Sequence, residues 1–289
     1  MIPDRAGYPA GMGIEIRRMR TADVDAAADV VLRGDWGDRR SWFTFAAAHP
    51  QCDPVVAVED GGAIVGTGVG TVNGPVGWVG TIFVAPERRR RGLGRALTEH
   101  ICSELEAAGC RTLVLVATDA GRPVYERMGF EIVDRYVALE RTASGGERAV
   151  SGIRPLSPGD AVEVAELDAR VTGEDRAHLI GAFARVPGGL VLRDDRGSLR
   201  ASLMRAPWGG GATIAADPDD ALAILDARLA AGGEGHRVRA GILASNERGL
   251  RLLERGGWHE AWRAPRLHRG EPLAWEPDAI WGQLNHALG

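Results

Sequence analysis

The stretch with the most chemical content runs from Val84 to Leu97, Val-Ala-Pro-Glu-Arg-Arg-Arg-Arg-Gly-Leu-Gly-Arg-Ala-Leu. An apolar run precedes it and an amphipathic helix follows, so Arg89-x-x-Gly92-x-Gly94 sits on a strand-to-helix turn. Glycines let backbone N–H groups approach a ligand, and a helix N-terminus adds partial positive charge. With the flanking arginines, this is chemistry suited to a pyrophosphate. Taken alone, the run Arg88–Arg91 fits a solvated surface or a nucleic-acid contact equally well. It is not a P-loop, because no Gly-Lys-Ser/Thr follows, and its glycine spacing is not that of a dinucleotide fingerprint.

A second element lies about thirty residues on, Tyr125-Glu126-Arg127-Met128-Gly129-Phe130. A phenol there can give a proton to a leaving group or hold it by a hydrogen bond. With both motifs in this order and at this separation, residues 13–141 resemble the GNAT superfamily of acyl-CoA-dependent N-acetyltransferases. The resemblance implies that acetyl-CoA is the co-substrate and that backbone amides from Arg90 through Arg91, Gly92, Leu93, Gly94 and Arg95 to Ala96 hold its pyrophosphate, with Arg89 beside them. It also implies that Ile82, Phe83 and Val84 pair with the pantetheine arm and that Tyr125 serves the sulfur. The expected reaction is direct attack of a small primary amine on the thioester in a ternary complex. Two alternatives stay open: an acetyl-CoA-binding sensor, or an acetyltransferase acting on a protein or peptide amine. The segment Thr118-Asp119-Ala120-Gly121 lacks the Asn that relatives often carry there.

The acceptor side is less marked. Relatives often place a carboxylate on the central strand, and Trp78-Val79-Gly80-Thr81-Ile82 has none. Asp35 and Asp38 are candidates for proton removal, with Trp36, Trp42 and Phe43 near them as pocket or core aromatics. The chain also resembles tandem GNAT proteins in which a charged segment of the second domain can face the acceptor; here that implies Gly173-Glu174-Asp175-Arg176, with Asp175 and Arg176 as contacts and Arg176 suited to a substrate carboxylate, while the residues themselves also read as a helix N-cap with a solvated arginine.

The elements that must position these residues follow from periodicity. Strands are predicted over 14–19, 55–59, 63–72, 78–84, 112–116 and 132–139, and helices over 21–33, 38–48, 92–108 and 121–128. The order then recurs. Ile153-Arg154-Pro155-Leu156 parallels Ile16-Arg17-Arg18-Met19, and Leu253-Glu254-Arg255-Gly256-Gly257-Trp258 lies over Tyr125–Phe130. In that half, helices are predicted over 160–169, 221–231 and 248–255. Strands are predicted over 190–193, 198–205, 212–215 and 238–243, and the tail with Trp275 and Trp281 packs back on the body. The predicted fold class is α/β with a mixed central sheet flanked by helices. It comprises two tandem GNAT-like domains, 13–142 catalytic and 151–289 degenerate, with a loose leader over 1–13 and a linker over 143–150. The second copy carries Asp217-Pro218-Asp219-Asp220 where the first has its glycine loop, and Leu253 where it has Tyr125. Three carboxylates suit a helix start but repel a phosphate.

Composition narrows the rest. The chain of 289 residues is long enough for two domains, and its net charge of −4 argues against a general nucleic-acid binder. No apolar run reaches the roughly 18 residues of a membrane span, and no signal core opens the sequence, so a cytoplasmic location is expected. Cys52, Cys102 and Cys110 are too scattered for a disulfide framework, and the seven histidines show no metal-ligand spacing, so no metal is expected. No lysine occurs, which excludes Schiff-base chemistry. A homodimer is compatible with the sequence.

Overall fold

The computed structural model describes residues 13–145 and 151–289; the leader over 1–12 and the linker segment 146–150 lie outside the described residues. The first half runs β1 (Ile14–Arg18), α1 (Val24–Leu32), α2 (Arg40–Ala48), β2 (Cys52–Glu59), β3 (Ile64–Asn73), β4 (Val76–Val84), α3 (Leu93–Ala107), β5 (Thr112–Val116), α4 (Arg122–Glu126) and β6 (Glu131–Thr142). The second runs β7 (Ile153–Pro155), α5 (Ala161–Thr172), α6 (Ala177–Phe183), β8 (Leu190–Arg193), β9 (Leu199–Leu203), β10 (Thr213–Ala215), α7 (Pro218–Gly232), β11 (Arg237–Leu243), α8 (Glu247–Arg255), β12 (His259–Gly270) and β13 (Ile280–Gly282). The predicted mixed α/β architecture is therefore present. The long strand β12, which the periodicity did not announce, is an addition.

The repeat shows in the way each half begins. Arg17 grips Asp23 through two bonds of 2.7 and 2.9 Å, and Arg154 grips Asp160 through two of 2.8 and 2.6 Å. Strand arginine and turn aspartate are six residues apart in both halves. In each, the aspartate also accepts from the backbone N–H three residues before it, closing a capping box.

The halves do not keep separate sheets. One eight-stranded sheet has the order β1-β2-β3-β4-β5-β12-β6-β11, and a five-stranded antiparallel sheet has the order β13-β10-β9-β8-β7. In the larger sheet β4 and β5 are parallel and every other neighbouring pair is antiparallel. The last long strand of the second half, β12, lies between β5 and β6 of the first. Strand β6 in turn pairs with β11 of the second half. Each half thus completes its sheet with a strand from the other.

Helix α3 covers one face of β3 and β4. Its stripe of Leu93, Leu97, Ile101 and Leu105 is buried. It sits close because Gly66, Gly68 and Gly70 alternate along β3; a Cβ on Gly68 would lie 2.6 Å from Ile101 Cδ1. The opposite face is covered partly by the second half. There Trp42 and Phe45 of α2 pack with Phe183 and Trp208 at ring separations of 5.1–5.5 Å. Among the described residues no helix is long and apolar enough to cross a membrane.

The exchange makes a direct prediction. A chain ending at residue 145 leaves β5 without β12 and β6 without both of its neighbours. Such a fragment should lack a cooperative thermal transition and aggregate through its open edges. A sharp, reversible transition near that of the full chain, followed by circular dichroism, would contradict the exchange.

Candidate active site

The site forms where two parallel strands part. β4 and β5 are paired only at Val76–Thr112, Gly77–Leu113 and Trp78–Val114. Beyond Trp78, β4 continues on β3 alone, while β5 continues on β12. The edge of β4 that faces this fork therefore has no strand partner over 79–84. Ligand crevices in α/β sheets open in this way outside the carboxyl ends of parallel strands.

A bulge in β4 shapes the fork. Thr67 pairs with Phe83 and Val69 with Gly80, so two residues of β4 oppose one of β3. Thr81 sits there with φ +53°, a conformation that costs a β-branched residue on the order of 1–3 kcal/mol. Two side chains hold it. The Thr67 hydroxyl donates to the Thr81 carbonyl at 3.1 Å, and the Trp42 indole N–H donates to the Thr81 hydroxyl at 3.1 Å. Ile82, Phe83 and Val84 follow directly. The loop before α2 closes over Phe83: a Cβ on Gly34 would be 2.3 Å from its ring, and Trp36 meets it edge-on at 5.5 Å.

The glycine loop turns β4 into α3 at the mouth of the fork. Arg90 has φ +60° and Gly92 φ +84°, and the position of a Gly92 Cβ is open space. α3 starts at Leu93 with no side-chain cap and no acid in its first turn. Helix α7 of the second half is the contrast. Its Asp217 carboxylate accepts from Asp219 N–H at 2.8 Å, and Arg200 pairs with Asp220 at 2.7 Å. The helix start of the second half is thus closed by its own side chains, and that of the first has no side-chain cap. Within the arginine run, Arg88 pairs with Glu59 and Arg95 with Glu99. Arg89 donates to the Val84 carbonyl at 3.1 Å, with its guanidinium 5.9 Å from the Phe83 ring centre. Leu93 is buried, Gly94 and Ala96 are half-buried, and Arg91 is exposed.

Tyr125 lies on α4, which follows β5 and so approaches the same end of the fork. The Tyr125 carbonyl accepts from Met128 and Phe130 N–H, closing the turn through Gly129 at φ +83°. Its ring meets Phe130 edge-on at 6.2 Å. Burial pushes the phenol up to about 12, with the Cys102 thiol of α3 contributing in the same direction. A phenol so placed stays protonated through neutral pH and is available as a donor.

The acceptor-side candidates divide. Asp35 is exposed, with φ +62°, next to Trp36 and without an ion pair among the described residues. Asp38 caps α2 at Arg40 N–H, 2.9 Å, and pairs with the Arg40 side chain, which also holds Asp25 and Asp29. Trp42 and Phe43 are core residues. Asp175 N–H donates to the Asn73 carbonyl at 3.2 Å, and its carboxylate accepts from Ala177 N–H at the start of α6. Arg176 requires a correction. It is buried and bound bidentately to buried Asp168 at 2.9 and 2.6 Å, so it does not present its fork to a substrate carboxylate.

From the second half, Glu174 and Arg266 reach Trp78 at the base of the fork, and His286 and Ala287 lie against Gly80 beyond it. Glu174 is fully buried and accepts from Asn73 Nδ2 at 2.8 Å and from the Trp78 indole at 2.9 Å. Burial pushes its carboxyl up, against the pull of Arg176 and Arg266. Asn73 also donates to the Leu288 carbonyl and takes His178 Nε2 on its oxygen at 3.1 Å. His178 is pushed down to about 4, chiefly by burial, so it is neutral at pH 7. Arg266 lies between the rings of Trp78 and Trp275, 4.9 and 4.4 Å from their centres. No local motif marks either residue. Among the described residues, no group of three His, Cys, Asp or Glu could hold a metal ion.

A family model described as the acetyltransferase (GNAT) family matches residues 19–130. An acetyltransferase of Pectobacterium atrosepticum is 30% identical over 128 residues, which is 42% of this chain and 90% of that protein. The chain belongs to the GNAT family. Shorter matches join it to a glucosamine 6-phosphate N-acetyltransferase of Trypanosoma brucei brucei, 32% identical over 65 residues, and a ribosomal protein bS18 alanine N-acetyltransferase of Salmonella typhimurium, 39% over 79 residues. These cover 22% and 26% of the chain, and it spans about half the length of those relatives, 44% and 53%. A crystal structure of a protein from Pyrococcus horikoshii, described as a putative acetyltransferase, shares this fold over 99% of this chain and 100% of its own, with TM-score 0.77 and 21% identity. A tandem GNAT protein from the clavulanic acid biosynthesis pathway aligns over 90% of this chain and 99% of its own, with TM-score 0.58 and 18% identity. The mixed sheet and the doubled organisation are thus those of GNAT structures.

The placement of Arg176 is testable by stability. Arg176→Leu leaves Asp168 buried and unpaired, and should cost about 3–5 kcal/mol in urea unfolding. Asp168→Leu together with Arg176→Leu should recover most of that loss. A single substitution costing less than about 1 kcal/mol would contradict the buried pair.

Proposed function

We propose that this GNAT protein transfers the acetyl group of acetyl-CoA to a primary amine of a small molecule, by direct attack within a ternary complex. The observation that carries this reading is the open anion seat at α3, set at the mouth of a fork whose β4 edge lacks a partner. An uncapped helix start with Gly92 at φ +84° suits a pyrophosphate, and an unpaired strand edge suits an extended amide-bearing arm. The residues therefore fit the co-substrate.

When bound, acetyl-CoA supplies the thioester. Backbone amides from Arg90 to Ala96 take the pyrophosphate, with the Arg89 and Arg91 charges beside it. The main chain of Ile82, Phe83 and Val84 holds the arm and steadies the oxyanion. The neutral amine attacks the carbonyl carbon, the carbon–sulfur bond breaks, Tyr125 donates its phenolic proton to the departing sulfur, and water returns a proton to the phenolate. The proton lost by the nitrogen passes to water or to Asp35, since Asp38 is held by Arg40. The second half carries no anion seat and serves as a wall. A Cβ on Gly80 of β4 would be 2.3 Å from the Ala287 Cβ, so the chain near residue 287 covers that face. This cover favours a small acceptor over a polypeptide.

Thiol release from acetyl-CoA against a panel of amines, amino acids and a peptide N-terminus tests the reading. Turnover with small amines and none with the peptide is the expected result; acetyl-CoA binding without any turnover would favour a sensor. Tyr125→Phe should lower kcat by about 10-fold or more with KM for acetyl-CoA unchanged. Because burial raises the phenol, wild-type kcat should hold through pH 10, where an ordinary tyrosine is half ionised. Gly92→Asp should abolish acetyl-CoA binding in calorimetry, since a side chain is strained there and its charge repels phosphate. Retained binding would remove the loop from its role.

A further inference from the structure

Arg266 is a buried cation whose charge the protein only half answers. Its nearest carboxylate oxygen, Glu174 Oε1, is 3.9 Å away, beyond hydrogen-bond reach. The other Glu174 oxygen is already held by Asn73 and Trp78. The guanidinium carbon lies over the Trp78 and Trp275 rings, 4.9 and 4.4 Å from their centres. One of its donors, Nη1, is buried and has no partner. Asp134, its cross-strand neighbour on β6, is engaged by the Ser245 hydroxyl and by Arg135 N–H. Arg176, on the side of Glu174, is held by Asp168.

A half-enclosed cavity of about 170 Å³ adjoins this group. Its walls are Val114 of β5, Val133 of β6, His268 of β12, and Leu273 and Trp275 of the segment after β12, with Arg266 as the cationic element. A cavity of about 150 Å³ lined by apolar side chains holds a benzene molecule. The space thus suits a small apolar body, and the guanidinium suits an anion at its end. Val114 is the rung partner of Trp78, the last rung before β4 and β5 part. Gly77 faces α3, because a Cβ there would be 3.0 Å from Leu105 Cδ1, so Trp78 faces the opposite side, where Arg266 stacks on it. The cavity therefore lies at the base of the fork, on the face away from α3.

We propose that this cavity is the anchoring subsite of the acceptor and takes a carboxylate borne on a small apolar body, bound by Arg266. The anion site stands on the cavity itself; its role toward the acceptor rests on the acetyl-transfer reading. The cation that sequence placed at Arg176 is supplied instead from β12, the strand the second half contributes to this sheet.

Benzoate and benzamide, equal in shape and different in charge, probe the site in the intact protein through tryptophan fluorescence. Benzoate should bind at least about 10-fold more tightly than benzamide. Arg266→Gln should erase that preference. Val133 is exposed at the cavity wall, so Val133→Glu should leave the melting temperature unchanged and weaken benzoate by about 10-fold or more through like-charge repulsion. It keeps the test decisive if Arg266→Gln fails to fold. In the thiol-release assay, benzoate should compete with the amine and not with acetyl-CoA. No benzoate binding, or equal binding of the two probes by the wild type, would overturn the anion site. Inhibition that is not competitive with the amine would overturn the acceptor assignment. If no amine is turned over, the acetyl-transfer reading falls, and the titration still decides the anion site.

Discussion

The parting of β4 from β5 is the constraint on which the rest of the molecule depends. Backbone N–H and C=O groups are obligatory hydrogen-bonding groups, and past Trp78 one edge of β4 has no strand to satisfy it. The two strands cannot close the gap. β5 is held from its other side by β12, and β4 is bent away by a bulge at Thr81 that Thr67 and Trp42 keep in place. The anion seat, the Tyr125 helix and the loop over Phe83 are all arranged around this opening. The strain at Thr81 makes sense as part of holding the fork open, since nothing else in β4 demands a left-handed β-branched residue.

The two halves open alike and differ at their corresponding helix starts. Each opens with an arginine gripping an aspartate six residues on. One has glycines and an uncapped helix, the other an Asp-Pro-Asp-Asp cap with its own arginine partner. Chemistry at a helix start is decided by a few side chains, so one scaffold can offer or refuse an anion without a change of fold. What the second half gives in return is structural cover, together with β12, Glu174 and Arg266 at the fork.

Those features set what was legible. The glycine loop and the turn after Tyr125 could be located because they depend on neighbours in the chain: a strand end, a turn and a helix start. Period-2 and period-3.6 patterns located most helices and strands for the same reason. β12 escaped because its register is set by β5 and β6, more than a hundred residues earlier, and because Pro265 and its arginines disguise a central strand. Arg176 and Arg266 show the limit at a single side chain. Both are buried arginines near an acid, and only their partners distinguish the one bound to Asp168 from the one left with an unpartnered donor.

The most direct measurement of the central claim is amide hydrogen exchange with and without acetyl-CoA. If the fork and the open helix start hold the co-substrate, protection should appear in peptides covering residues 79–96 and around Tyr125, with none over residues 217–225 at the start of α7. Protection at α7, or no change along β4 and the start of α3 at saturating acetyl-CoA, would contradict the account.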